Sequence, residues 1–373
     1  MFGLYLHIPF CRSRCSYCGF NSYAGLEERY TSYFEALLTE IEHQSSTEDW
    51  PVVSSVFFGG GNPAILGGQR LSLLLGALRK SFRLSPTAEV TTELNPEDAT
   101  PELLKSLKSV GFNRLSLGWQ SLNSDRLVSL KRRHNRQQAI DSLTAARGAG
   151  FDNVNIDMIF GLSNQTITEW RDDLDTLASL NPDHLSLYSL SLEPGTELLR
   201  QVEAGKTELP PVDDVARMYE IAIEVLRKSG FDHYEISNFA KDGHACSHNL
   251  NCWHGGEYLG IGAGAHSHLK GKRSWRVNDP IEYIVRSREN DTIAGNEVLD
   301  KGRKLGERII LGLRLCDGID IGELEAEYGV NISDIYGDAI RDLKQKGLLV
   351  ADSRLALTEK GLLLANEAMA AFV

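Results

Sequence analysis

The stretch HIPFCRSRCSYCGF, residues 7–20, decides how the rest of the chain is read, because it sets Cys11, Cys15 and Cys18 within eight residues at C-x3-C-x2-C spacing. Three thiols so close together invite a metal. A structural zinc ion wants four ligands, usually from two separated pairs. No second C-x2-C pair follows, so a zinc reading has to recruit His7 as the fourth ligand. A 4Fe–4S cluster is normally held by four cysteines; with three, one iron stays free for another ligand. The spacing i, i+4, i+7 would also suit one face of a helix, but Pro9 before it and Gly19 after it favour a loop.

Around this loop lie 373 residues with 39 Lys plus Arg against 51 Asp plus Glu, a formal net charge of −12, and 42% hydrophobic residues. The balance is that of an ordinary globular protein of about two domains. A pI near 5.4 argues against a general nucleic-acid binder, which needs a basic stripe to neutralise phosphates. No run approaches the ~20 apolar residues of a membrane span. The start MFGLYLHIPFCR has neither a cationic leader nor an apolar signal core, which points to the cytoplasm. In a reducing compartment the six cysteines, with Cys246, Cys252 and Cys316 completing the set, are not expected to pair as disulfides.

Beyond the loop, short apolar runs alternate with amphipathic stretches. Strands are expected at 4–8, 52–58, 89–94, 114–117, 154–159 and 184–190, and helices at 26–42, 69–81, 101–110, 136–150 and 168–180. Such alternation implies a parallel sheet. Six units suggest an α/β fold built as a partial (β/α)6 barrel rather than a closed eightfold one. Polar residues gather where the strands end: Gly59-Gly60-Gly61-Asn62, then Glu93 and Asn95, Gln120, Asp157, and Tyr188 with Ser191. Barrel enzymes build their sites at that face. The expected organisation is a barrel over 1–230, a connecting segment over 231–300 and a small C-terminal α+β domain over 301–373. The Gly-, His- and Asn-rich run 237–268 reads as a loop or site segment. The last part, with three helices, a hairpin and a closing helix, is winged-helix-like. Its ten Lys plus Arg against twelve Asp plus Glu leave no basic face for DNA.

C-x3-C-x2-C after a first strand resembles the signature of the radical S-adenosylmethionine (SAM) family, and YLHIPFCRSRCSYCGF resembles its coproporphyrinogen III dehydrogenase-like branch. The resemblance implies a 4Fe–4S cluster on Cys11, Cys15 and Cys18, with SAM chelating the remaining iron. FFGGGNPAIL is similar to the family's GGGTP motif, so Gly60, Gly61 and Asn62 are implied SAM contacts, although Asn62 and Ala64 replace the usual threonine and serine. Glu93, in ELNPED, matches a glutamate that contacts SAM. Gln120, Arg132 and Asp157 fall on further SAM positions, and Tyr5 and Tyr17 flank the cluster. Trp119 stands for the usual valine, and LSNQT at 162–166 for LPGQT.

Phe20 carries further meaning. Enzymes of the branch have a fourth cysteine there, whereas C-x3-C-x2-C-x-F resembles a subgroup of haem chaperones, as does His248-Asn249-Leu250-Asn251-Cys252-Trp253 beside that subgroup's HNxxYW. An imidazole is a good axial ligand for haem iron, so His248 is the implied haem residue, and Trp253 offers a flat face to a porphyrin. His7, His244, His254, His266 and His268 are weaker candidates; Cys246 and Cys316 read as bystanders. The resemblance implies a haem chaperone holding a 4Fe–4S cluster, SAM and haem, with haem-accepting proteins as partners. It leaves open a homodimer and membrane contact through an acceptor. The competing reading is a radical SAM enzyme, either an anaerobic coproporphyrinogen III oxidoreductase or a related methyltransferase. No catalytic residue is assigned.

Overall fold

The computed structural model describes residues 1–373. Strands β1 (Phe2–Ile8), β2 (Val53–Gly60), β3 (Leu84–Leu94), β4 (Arg114–Gln120), β5 (Val154–Phe160) and β6 (His184–Ser189) pair in parallel, in chain order. The helices Tyr30–Thr47, Gly68–Ser81, Pro101–Val110, Arg136–Gly148 and Ile167–Leu180 connect them. The expected α/β partial barrel is therefore present, with boundaries shifted by a few residues. The first helix starts later than expected because Glu27–Arg29 forms a separate 3-10 turn. The amphipathic helix Val212–Lys228 was not anticipated.

The connecting segment after 230, read as a loop or site segment, also carries strands that build both edges of the sheet. β7 (Asp232–Glu235) and β8 (Asn238–Ala240) add antiparallel beyond β6. β9 (Glu257–Ile261) adds a seventh parallel strand beside β1. β10 (His266–Leu269), β11 (Lys272–Arg276) and β12 (Ile293–Val298) continue outward antiparallel. The result is one twelve-stranded sheet with β12 and β7 at its open ends. Glycines in GGEYLGIGAGAHSH serve close backbone approach: a Cβ on Gly262, at φ +102°, would lie 2.5 Å from the carbonyl oxygen of His7.

Alternation along the strands separates lumen from shell. In β4, Leu115, Leu117 and Trp119 are fully buried apolar residues, while Arg114, Ser116, Gly118 and Gln120 line an internal cavity. β5 repeats this, with Asn155, Asp157 and Ile159 turned inward. The three-stranded sheet β13 (Ile319–Asp320), β14 (Leu349–Ala351) and β15 (Arg354–Leu357) belongs to the C-terminal part, with the helices Ile321–Tyr328 and Ile332–Gln345. The helix Lys301–Leu313 joins that part to the rest, since Leu305, Ile309 and Leu313 share one apolar core with the barrel shell. No helix is long and apolar enough to cross a membrane.

Candidate functional site

β1 delivers the chain directly into the cysteine loop, and the loop is pinned before any ligand is considered. Gly61 N–H donates to Ile8 O and Asn62 N–H to Phe10 O. Cys11 N–H donates to Tyr23 O. A Cβ on Gly61 would sit 2.9 Å from Cys11 Sγ and 2.5 Å from Phe10 O, so only glycine lets the β2 end pass beneath the first cysteine.

The three cysteines are free thiols on the wall of one cavity of about 650 Å³. Burial, with the neighbouring Cys15 and Cys18, pushes the Cys11 thiol up to about 12. Three thiolates at this place need a positive centre to hold them. Arg132 supplies part of it, its Nη1 standing 3.5 Å from Cys15 Sγ. No His, Cys, Asp or Glu set closes round a single ion. Both nitrogens of His7 are committed, Nδ1 to Tyr5 Oη and Nε2 to Asn21 O, each at 2.9 Å. The fourth ligand of the zinc reading is thus already engaged. The donor set fits a sulfur-rich cluster with one position left open.

The same cavity is lined by Gly60, Glu93, Asp157, Gln120 and Arg132, with Tyr5 and Tyr17. Gly60 N–H donates to Glu93 Oε2 at 3.0 Å. Burial, reinforced by Asp157, raises the Glu93 carboxyl to about 8. Asp157 is also raised, chiefly by burial, although it accepts from Ser116 Oγ and Asn155 Nδ2, both at 2.8 Å. Gln120 adopts φ +69°, a left-handed conformation unusual outside glycine, at a bulge where β4 slips one residue against β5. That twist brings its amide to the lumen. Arg132 Nη2 donates to Asn95 Oδ1 at 2.7 Å and to Gly118 O at 2.6 Å, which fixes the guanidinium beside the cluster loop.

Asn62 requires a correction. It was expected among the ligand contacts, but it is 1% exposed and lies outside the cavity wall. Its Nδ2 donates to Asp98 Oδ2 at 2.6 Å, and Arg12 of the cysteine loop donates to Asp98 Oδ1 at 2.8 Å. Asn62 therefore ties the glycine turn to the cysteine loop through Asp98.

His248 reaches the same cavity from the opposite end. It sits on the helix Ser247–Trp253, whose N-terminus is held by Glu89: Oε2 accepts from Ser247 N–H, and Oε1 from His248 N–H and the Cys246 thiol. His248 Nδ1 lies 3.0 Å from Ser55 Oγ, and the ring packs near Tyr5 and Phe57. Burial lowers its pKa to about 4, so the ring is neutral at pH 7. With the proton on Nδ1, Nε2 offers a lone pair. Cys252 and Trp253 lie off the cavity. One face of the Trp253 ring, expected to offer a surface to a porphyrin, is covered by the Arg314 guanidinium, 4.2 Å from the ring centre. Phe20, 71% exposed, and Tyr188 stand on the cavity wall. Asn249 of the same motif also lines it, as do Arg114 and Phe57, which were missed from sequence. The signal for Arg114 was its phase, two residues before Ser116 and six before Gln120 on an otherwise apolar strand.

Residues 5–177 match the radical SAM superfamily, and residues 299–364 match the HemN C-terminal domain. "Heme chaperone HemW" of Bacillus subtilis (strain 168) is 34% identical over 372 residues, covering 99% of this chain and 98% of that protein. The protein of the same name from Mycobacterium tuberculosis (strain ATCC 25618 / H37Rv) is 36% identical, covering 98% and 93%. The structure of coproporphyrinogen III oxidase (HemN) from Escherichia coli, described as a radical SAM enzyme, superposes with a TM-score of 0.88 at 26% identity, covering 100% of this chain and 89% of that one.

Proposed function

Since this chain belongs to the radical SAM superfamily and, within its HemN-like branch, to the family of the heme chaperone HemW proteins, we propose that it binds haem in the barrel lumen and passes it to haem-accepting proteins. On this reading Cys11, Cys15 and Cys18 hold a 4Fe–4S cluster. Gly60, Gly61, Glu93, Gln120, Arg132 and Asp157 hold SAM, with Tyr5 and Tyr17 against it. The cluster, when bound, supplies a one-electron reductant and an open iron site. The residues' own tasks are positional: Glu93 accepts hydroxyl hydrogen bonds, Arg132 neutralises thiolate charge, and Tyr5 and Tyr17 shield the site from water.

The observation that carries the haem assignment is His248, a neutral imidazole whose Nδ1 is engaged by Ser55 and whose ring lines the lumen. The ring opens on the same cavity of about 650 Å³ whose other end carries the three cysteines. Phe20, at the position where enzymes of the branch carry a fourth cysteine, adds an apolar wall instead of a thiol.

Anaerobic titration of the protein with haemin tests this. A Soret shift saturating near one haemin per chain is expected, with at least tenfold weaker binding in His248→Ala. Wild-type protein that gives no shift, or a His248→Ala titration identical to it, overturns the assignment. Formation of protoporphyrinogen from coproporphyrinogen III with SAM and a reductant would make the chain an oxidase instead.

A further inference from the structure

Arg114 makes no side-chain hydrogen bond with the residues that hold the cysteine loop or the helix of His248. It is 2% exposed, opens β4, and lines the lumen at the end nearest His248. Its Nε is buried without a hydrogen-bond partner, and its guanidinium joins no ion pair. The three carboxylates near enough to act on it are hydrogen-bonded elsewhere, Glu89 by the helix Ser247–Trp253, Asp157 by Ser116 and Asn155 and Glu93 by Gly60 N–H. In the β3–β4 ladder Thr91 is the register partner of Arg114, and its buried Oγ1 also lacks a partner.

An unpaired buried charge is costly, and a guanidinium is a rigid fork of donors shaped for a carboxylate. We propose that Arg114 forms a carboxylate subsite at the lumen floor, and that it receives a haem propionate. This rests on the haem reading above. The imidazole of His248 and the guanidinium of Arg114 would then recognise the iron and the acid side chain of one ligand.

The test compares haemin with haemin dimethyl ester, which keeps the iron and the macrocycle but masks both acids. Titrations use the full chain as wild type, Arg114→Gln, Arg114→Lys and His248→Ala. Wild-type protein should bind the ester at least tenfold more weakly than haemin. Arg114→Gln should lose at least tenfold for haemin while changing ester affinity less than twofold, with Arg114→Lys between. His248→Ala should weaken both ligands. Equal loss of haemin and ester in Arg114→Gln would mean a structural role and overturn the subsite, as would equal affinity of wild type for both. If Arg114→Gln does not fold, the wild-type comparison and Arg114→Lys still decide. A wild type that binds neither ligand overturns the haem reading and the propionate assignment together, whereas an effect of Arg114→Gln without one of His248→Ala overturns the axial ligand alone.

Discussion

At the residue scale, Glu93 joins two demands on one carboxyl. Burial beside Asp157 raises it to about 8, while a role in accepting hydroxyl protons favours the ionised form. The fold favours its protonated state, so the associated stability is full below pH 4.5 and is lost as pH rises through about 8. Unfolding of the ligand-free protein should show this as a fall on the order of 3–4 kcal/mol between pH 5 and pH 8, measured by denaturant titration at several pH values. Glu93→Gln should flatten that slope and bind SAM about tenfold more weakly; an unchanged slope in the variant would exclude Glu93 as its source. The position was legible in the sequence because a polar residue ended a strand. Asn62 was equally legible and pointed elsewhere. Residue type and spacing set it at the turn, but only the fold brought Asp98 within 2.6 Å of its amide.

At the element scale, the short helix Ser247–Trp253 depends on one carboxylate for its place. Seven residues cannot sustain a helix alone, and no side chain caps its N-terminus from within. Glu89, from the middle of β3, accepts from its first two N–H groups and from the Cys246 thiol just before it and opposes the positive end of the helix dipole. Glu89→Ala should release this segment while the strands stay formed. Hydrogen exchange of amides 247–253 should accelerate at least tenfold, a loss of about 1.5–3 kcal/mol for charge-assisted bonds, and haemin affinity should fall with it. Unaltered exchange there would show that packing against β1 and β2 suffices. The sequence could not reveal this link, because Glu89 and Ser247 are 158 residues apart. The same distance hid β9: a strand that pairs in parallel with β1 after the whole barrel has been built leaves only a short glycine-rich signal. The helices of the βα units, by contrast, were legible because each buries a stripe at helical spacing against its own neighbours.

At the scale of the whole molecule, the question is what keeps an open sheet curved round a lumen. Its late edge must return to β1, and Glu40 is where it is fastened. This carboxylate, 2% exposed on the helix Tyr30–Thr47, meets Arg276, 1% exposed, at 2.9 Å. It also accepts from Tyr283 Oη at 2.6 Å, Thr292 Oγ1 at 2.8 Å and Gly262 N–H at 2.9 Å. All its partners come from the segment after β9. The same segment holds the exit of the cysteine loop, since Asn21 Nδ2 donates to Ala263 O and Asn278 O at 3.1 Å. Removing one member of a buried pair strands the other charge and costs about 3–5 kcal/mol. Glu40→Ala should lower the unfolding free energy by that amount, read as a lower denaturant midpoint with little change in slope, and so should Arg276→Met. Because each leaves the same orphan problem, the double variant should lose less than the sum of the two. Additive losses would mean that Glu40 and Arg276 stabilise separate parts of the fold. If instead they act together, the double variant should also keep its β9 edge more intact than either single one, and iron retention on the cysteine loop should follow the same order, because one fastening serves both the sheet edge and the loop beside it.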